Sequence, residues 1–148
     1  MKLDGPRLTL SEVVHADEPR LRGILASPEV SRWWGEVDDF EGMLAITLDD
    51  GVVIGAIQYD EEEDPQYRHA GIDIFLAPEH HGRGYGREAV RTLARWLIEE
   101  RGHHRLTIDP AAHNEAAIRA YEKVGFRRVG VRRSPREDLM DLLAEELT

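Results

Sequence analysis

The chain has 148 residues, 41% of them hydrophobic and 32% charged, with a formal net charge of −10 and no cysteine. These figures exclude disulfides, a thiolate nucleophile and cysteine-ligated zinc, and so acidic a surface argues against nucleic-acid binding, which needs a basic face. The length suits a single domain over residues 1–148, and no apolar run approaches the roughly 20 residues of a membrane span.

The opening residues, Met1-Lys2-Leu3-Asp4-Gly5-Pro6, hold no signal-peptide core, so a cytoplasmic location is expected. Arg7–His15 alternates well enough for a first strand. Asp17 is placed to cap a helix over Glu18–Ala26, and Ser27-Pro28 to start another that runs through Trp33-Trp34 and stops at Gly35. Met43–Leu48 and Val52–Tyr59 flank Asp49-Asp50-Gly51, a hairpin signal. The acidic run Asp60–Pro65 reads as a loop, and Ala70–Leu76 as a strand halted by Pro78. Gly84–Arg101 is the strongest helix, with Val90, Leu93, Ala94, Leu97 and Ile98 on one stripe and Gly102 as its stop. A short strand, Arg105–Ile108, ends at Asp109-Pro110. A second helix, Asn114–Val124, presents Ala117, Ala120, Tyr121 and Val124 on one face, and Phe126–Val131 is a strand again. The tail, Glu137–Leu147, has a helix-favouring composition, yet as a strand it would pair with Phe126–Val131. The pattern as a whole predicts one α/β (α+β) domain with a mixed sheet.

The stretch His81-Gly82-Arg83-Gly84-Tyr85-Gly86-Arg87 carries the most chemistry. A glycine-rich turn opening a helix lets backbone amides crowd around a phosphate, with the positive end of the helix dipole behind them. Two familiar motifs do not fit. A P-loop requires Gly-Lys-Ser/Thr where Gly86 is followed by Arg87-Glu88, and a dinucleotide fingerprint requires a glycine at Arg87.

A third pattern does. His81-x-x-Gly84-x-Gly86 resembles the Q/R-x-x-G-x-G/A signature of the GCN5-related N-acetyltransferases, with His81 replacing the usual Gln or Arg. Asn114, Ala117, Tyr121, Lys123, Gly125 and Phe126 resemble that family's N-x-x-A-x-x-x-Y-x-K-x-G-F segment. Within the superfamily the chain is most similar to the aminoglycoside 6′-N-acetyltransferases and their siderophore-acylating relatives. The matching segments are Trp33-Trp34-Gly35, Ile54-Gly55-x-x-Gln58, Gly71-Ile72-Asp73 and Asp109-Pro110 leading into Asn114 and Ala117-Ile118-Arg119. A short, charged turn over residues 132–136 replaces the longer hairpin that relatives often carry.

The resemblance implies a mostly antiparallel sheet of six to seven strands, splayed at its central strands and flanked by about four helices. It also implies acetyl-CoA as donor. The diphosphate would lie over the Arg83–Arg87 amides, with Phe75, Leu76, His81, Gly82, Gly84, Tyr85, Gly86, Asn114 and Ala117 completing the coenzyme site. By the same resemblance Tyr121 points its hydroxyl at the coenzyme sulfur as general acid, and Asp73 and Asp109 face the acceptor. The residues by themselves leave these positions open. Tyr121 lies on an apolar stripe and reads equally as core, Asn114 as an N-cap, and Asp109 as turn chemistry. Asp73 is the odd residue of its strand: Ile72, Ile74 and Leu76 point one way, Asp73 and Phe75 the other. A salt bridge or a substrate ammonium would explain it.

One of Trp33 and Trp34 is expected in the core and the other on the acceptor wall. A backbone N–H near Ile74–Leu76 is the expected oxyanion donor. The amine proton would leave through water to Asp73 or Glu63, with Glu63 counted among the substrate-binding residues. The histidine doublets, His80-His81 and His103-His104, have diverging side chains, so no metal is expected. The expected activity is direct transfer of acetyl to a cationic small-molecule amine, first an aminoglycoside 6′-amine, by a monomer or homodimer. A protein N-terminal or siderophore acyltransferase, and a coenzyme-A-binding sensor without turnover, are the rivals.

Overall fold

The computed structural model describes residues 1–133 and 136–148, with the backbone alone at Arg136. The middle of the charged turn at 132–136 therefore lies outside the described residues. Eight strands form one sheet: β1 (Lys2–Asp4), β2 (Leu8–Glu12), β3 (Leu44–Leu48), β4 (Val53–Glu62), β5 (His69–Leu76), β6 (Arg105–Ile108), β7 (Arg127–Arg133) and β8 (Arg136–Leu143). Among the described residues there are four α-helices: α1 (Glu18–Ala26), α2 (Pro28–Ser31), α3 (Tyr85–Glu99) and α4 (Glu115–Val124). The spatial order is β1-β2-β3-β4-β5-β6-β8-β7, antiparallel everywhere except between β5 and β6.

The strand count is one above the upper expectation. The addition is β1, which pairs Leu3 with Leu10 and turns back through the Gly5 N–H donating to the Leu8 carbonyl at 2.8 Å. Three residues with one apolar side chain are too few to show a period of two. The acidic run is the larger correction: Asp60, Glu61 and Glu62 are paired strand, opposite Gly71, Ala70 and His69, not loop. Acidic residues disfavour strands intrinsically, and the cross-strand register overrides that preference. The tail resolves as strand, because β8 fits between β6 and β7 and so pairs on both edges. The helix expected through Trp34 stops at Ser31. Asp17 precedes α1 but its side chain does not cap it; the carboxylate accepts instead from the Val14 amide at 3.1 Å.

The two faces of the sheet have separate cores. On one, Val90, Leu93 and Leu97 of α3 and Ile118 and Val124 of α4 bury Leu8, Ile46, Ile57, Ile72, Leu106 and Met140. The stripe on α3 is the one its periodicity predicts, with Leu93 at 0% exposure. On the other face Leu21, Ile24 and Val30 of α1 and α2 cover Ala56 and Phe75. Each fully buried aliphatic or aromatic side chain contributes about 1.5–3 kcal/mol, so both faces commit the sheet to its register. No helix among the described residues is long and apolar enough to cross a membrane.

Strands β5 and β6 pair only at Ala70 with Leu106 and Gly71 with Thr107. Beyond that point they part, as the resemblance led us to expect, and a wedge-shaped opening forms at the sheet centre.

Candidate active site at the splayed strands

The glycine turn closes one end of the wedge. Gly82 (φ +75°) and Gly84 (φ +81°) both adopt the left-handed conformation, which costs an L-residue about 1–2 kcal/mol. Gly84 is the N-cap of α3, and the first helical bond is Glu88 N–H to the Gly84 carbonyl at 3.0 Å. The amides of Tyr85, Gly86 and Arg87 precede it and have no intrahelical acceptor. They lie at the positive end of the helix dipole, and the Arg87 guanidinium lies close to Gly84. His81, the departure from the family signature, donates from Nε2 to the Leu76 carbonyl, 2.8 Å away, and so ties the turn to the end of β5.

The register of β5 then determines which of its backbone groups are free. The Ala77 N–H donates to the Ile54 carbonyl at 2.7 Å. Counting back by twos, Phe75 and Asp73 spend their backbone groups on β4. Ile74 and Leu76 therefore direct theirs at the wedge. Two contacts agree: the Ile74 carbonyl accepts from Trp34 Nε1 at 3.0 Å, and the Leu76 carbonyl meets His81. The N–H groups of Ile74 and Leu76 are left facing the opening between β5 and β6.

Tyr121 reaches the wedge from α4. It is 9% exposed, with its ring edge-on to Phe126 at a centroid distance of 6.4 Å. Burial raises its pKa, and the nearby Asp73 carboxylate raises it further, so the phenol keeps its proton. Asn114 caps α4, its side-chain oxygen accepting from the Ala117 amide at 3.4 Å. The cap role is real, and among the described residues the amide nitrogen of the same side chain has no acceptor. Ala117 is half-buried on the same helix face as Tyr121.

The far wall of the wedge is acidic. Asp73 is reachable by solvent but recessed among protein groups. Burial raises its pKa, opposed by a hydrogen bond from Gln58 across the β4–β5 ladder, and Asp60, Asp109 and Glu137 raise it again. Asp109 follows β6 at the level of Asp73, where the strands have separated. Its pKa is also raised by burial, while Arg132 pulls it back down. Asp60 lies over Gly71, where a Cβ would stand only 2.7 Å from its Oδ1. A side chain there would push the Asp60 carboxylate aside. Among the described residues Asp60, Asp73 and Asp109 form no ion pair, whereas Glu137 pairs with Arg132 at 3.0 Å. No three His, Asp or Glu side chains among the described residues gather closely enough to hold a metal ion, so the carboxylates line a wall and do not converge on a point.

Glu63 does not join this wall. It sits past the end of β4 and faces Arg68, 3.8 Å away. Asp60 and Glu137 occupy the wall instead, and both were missed. Period-two counting from Gln58 would have found Asp60, had the acidic run been read as strand. Both tryptophans are partly buried, and they meet different neighbours. Trp34 packs edge-on against Phe75 at 4.9 Å, in the α1–α2 core, and Trp33 stacks on His113 of the β6–α4 connection at 4.8 Å. Phe75 itself is a core residue at 4% exposure and presents its ring away from the wedge. Two open surface pockets, of about 490 and 650 Å³, flank α1; the first is bounded by Trp34. Neither is lined by Asp73, Tyr121 or the glycine turn.

The chain is similar to known proteins in sequence and in fold. Residues 9–126 match the acetyltransferase (GNAT) family. The chain belongs to that family. The GNAT fold extends over the whole sheet: an acetyltransferase of the GNAT family from Bacillus anthracis superposes with a TM-score of 0.87, over 99% of this chain and 100% of that one, at 18% identity. At that identity the likeness speaks for the fold. AAC(6′)-Ib, solved in complex with coenzyme A and kanamycin, superposes with a TM-score of 0.80 at 25% identity, over 94% of this chain and 96% of the other. In sequence, aminoglycoside N(6′)-acetyltransferase type 1 of Klebsiella pneumoniae is 40% identical over 78 residues, 52% of this chain. The match covers 38% of that relative's own length.

Proposed function

We propose that this GNAT protein is an acetyl-CoA-dependent N-acetyltransferase acting on a small polycationic amine, with the 6′-amine of an aminoglycoside as its acceptor. One observation carries the reading: free amides at a basic glycine turn and unpaired carboxylates stand at the two ends of one splayed wedge, with a buried phenol between them. The likeness to a protein solved with coenzyme A and kanamycin supports the same assignment.

The residues present suit the coenzyme. Amides of the Arg83–Arg87 turn would receive its diphosphate, helped by the arginine side chains. The Leu76 N–H and the Asn114 side chain would hold the amide-bearing arm, and the Ile74 N–H would meet the oxygen that gains charge when the acetyl carbonyl is attacked. Acetyl-CoA supplies a thioester activated for aminolysis.

The acceptor wall follows from electrostatics. Asp60 and Asp73 repel one another with no ion-pair partner among the described residues, and an arriving ammonium would relieve that repulsion, which becomes binding energy. Aminolysis needs the neutral amine, and a carboxylate favours the charged one. The ammonium must therefore lose one proton to Asp73, directly or through water, before nitrogen can attack, and a second leaves nitrogen as the C–S bond breaks and ends on the coenzyme sulfur; the raised pKa of Asp73 improves it as the first acceptor. Tyr121 then donates to the departing sulfur. Its raised pKa makes complete transfer to a thiolate uphill, so its contribution is a hydrogen bond that strengthens as the thiolate develops.

The deciding experiment incubates the purified chain with acetyl-CoA and a panel of amines, reading thiol release. Kanamycin should be turned over far faster than peptide N-termini or hydroxylysine-type amines. A preference for peptides or hydroxylysines would replace the acceptor, and coenzyme A binding without thiol release for any amine would make the protein a sensor.

A further inference from the structure

The turn joining β1 to β2 reaches across to the start of α3 and delivers one guanidinium there. The Arg7 amide and its Nε each donate to the Glu88 carboxylate at 2.7 Å. Its Nη1 donates to the Arg83 carbonyl at 3.1 Å, and the guanidinium carbon lies 4.4 Å over the Tyr85 ring. Nη2 is 3.3 Å from where a Cβ on Gly84 would stand. The hairpin is pressed against the helix at Gly5, where a Cβ would be 2.8 Å from Thr92 Oγ1.

The two partners differ in exposure. Glu88 has only 9% of its side chain in solvent, and Arg7 has 46%. A buried carboxylate needs a partner, which accounts for one edge of the guanidinium. The other edge is not used: among the described residues Nη2 has no acceptor, and it lies beside the left-handed glycine whose neighbouring amides are also free. A planar fork held by a carboxylate, a carbonyl and an aromatic face keeps little rotational freedom to lose when an anion arrives.

We propose that Arg7 is a coenzyme-binding residue, offering its free edge to the diphosphate over the glycine turn, and that Glu88 is the residue that positions it. The inference rests on the proposed function in one respect, that the turn holds a coenzyme diphosphate. It adds a contact from an element outside both sequence motifs.

Isothermal titration of coenzyme A into the wild type and Arg7→Gln, at low and high ionic strength, tests this, with melting temperatures as a check of folding. Arg7→Gln should weaken binding about tenfold at low salt, and the gap should narrow as salt rises, because a half-exposed charge contact is screened. A purely structural loss would give a gap independent of salt, and that result, or equal affinities, would overturn the role of Arg7. If Arg7→Gln does not fold, Arg7→Lys serves: it keeps the charge but lacks a fork spanning Glu88 and a phosphate, so weaker binding is expected and unchanged affinity would overturn the proposal. A wild type that binds no coenzyme A would overturn both this inference and the proposed function; a wild type that binds while the variants match it overturns this one alone.

Discussion

The two ends of the wedge are built from different materials. At the glycine turn the binding groups are backbone amides, made available by a helix start, two left-handed glycines and the pairing parity of β5. At the acidic wall they are side chains from four places in the chain: Asp60 on β4, Asp73 on β5, Asp109 after β6 and Glu137 on β8. A backbone site recognises what is common to every molecule carrying a diphosphate, and tolerates substitution as long as the glycines remain. A side-chain wall recognises charge spacing, and a single register shift would remove it. The first suits a shared donor and the second a particular acceptor.

That contrast yields predictions of decreasing size. Tyr121→Phe, which keeps the ring packed on Phe126, should lower kcat about 10²-fold or more with little change in either KM; stopped or steady-state thiol release measures it. An unaltered kcat would remove the phenol from the mechanism. Asp73→Asn should lower kcat/KM for the amine by roughly 10- to 100-fold, the worth of a charge-assisted contact, and leave the KM for acetyl-CoA alone. Gly84→Val should do the reverse. A branched residue at φ +81°, with the Arg87 and Arg7 guanidiniums 3.2 and 3.3 Å from its Cβ, would raise the KM for acetyl-CoA by about tenfold. If instead both variants damaged both substrates equally, the two ends would not be separable. Asp60→Asn is the mildest, about two- to fivefold in the KM for a polyamine and less at high salt.

Stability should follow the same division. Burial holds the Asp73 carboxyl above its ordinary 3.8, so the folded protein binds that proton more tightly than the unfolded chain does. Ionising it costs stability progressively as pH rises from the ordinary value through the folded-state one, and the cost is complete above the folded-state value. Asp73→Asn should therefore melt higher than the wild type near neutral pH, with the advantage vanishing below the ordinary carboxylate range. Scanning calorimetry across that range would show it, and an Asn variant less stable at neutral pH would mean that the carboxylate has a structural partner. Acceptor binding and stability would thus pull in opposite directions at this one residue.

Most of the donor end was legible in the chain. The glycines of the turn, the apolar stripe of α3, the Asn114 cap and the Tyr121 face are local patterns, spaced by helix geometry. The acceptor end was only partly so. Asp73 stood out as a charge in an apolar strand, but Asp60 was hidden in an acidic run that composition alone assigns to a loop. Glu63, three residues on, looked as eligible and faces Arg68 instead. Arg7 carried no signal, since its partner Glu88 lies far along the chain. The β8 strand was undecidable by propensity, and its two neighbours in the sheet settled it.

By itself the sequence determined the extent of α3 and α4 to within a turn, which of their faces are apolar, and that a glycine-rich turn opens the long helix. Those properties depend on residues within one or two turns of each other. Tertiary structure decided which carboxylates share a wall, which backbone amides of β5 stay unpaired, and which arginine reaches the glycine turn. The reason is that strand register and the parting of β5 from β6 are set by packing on both faces of the sheet at once, and no local pattern encodes that.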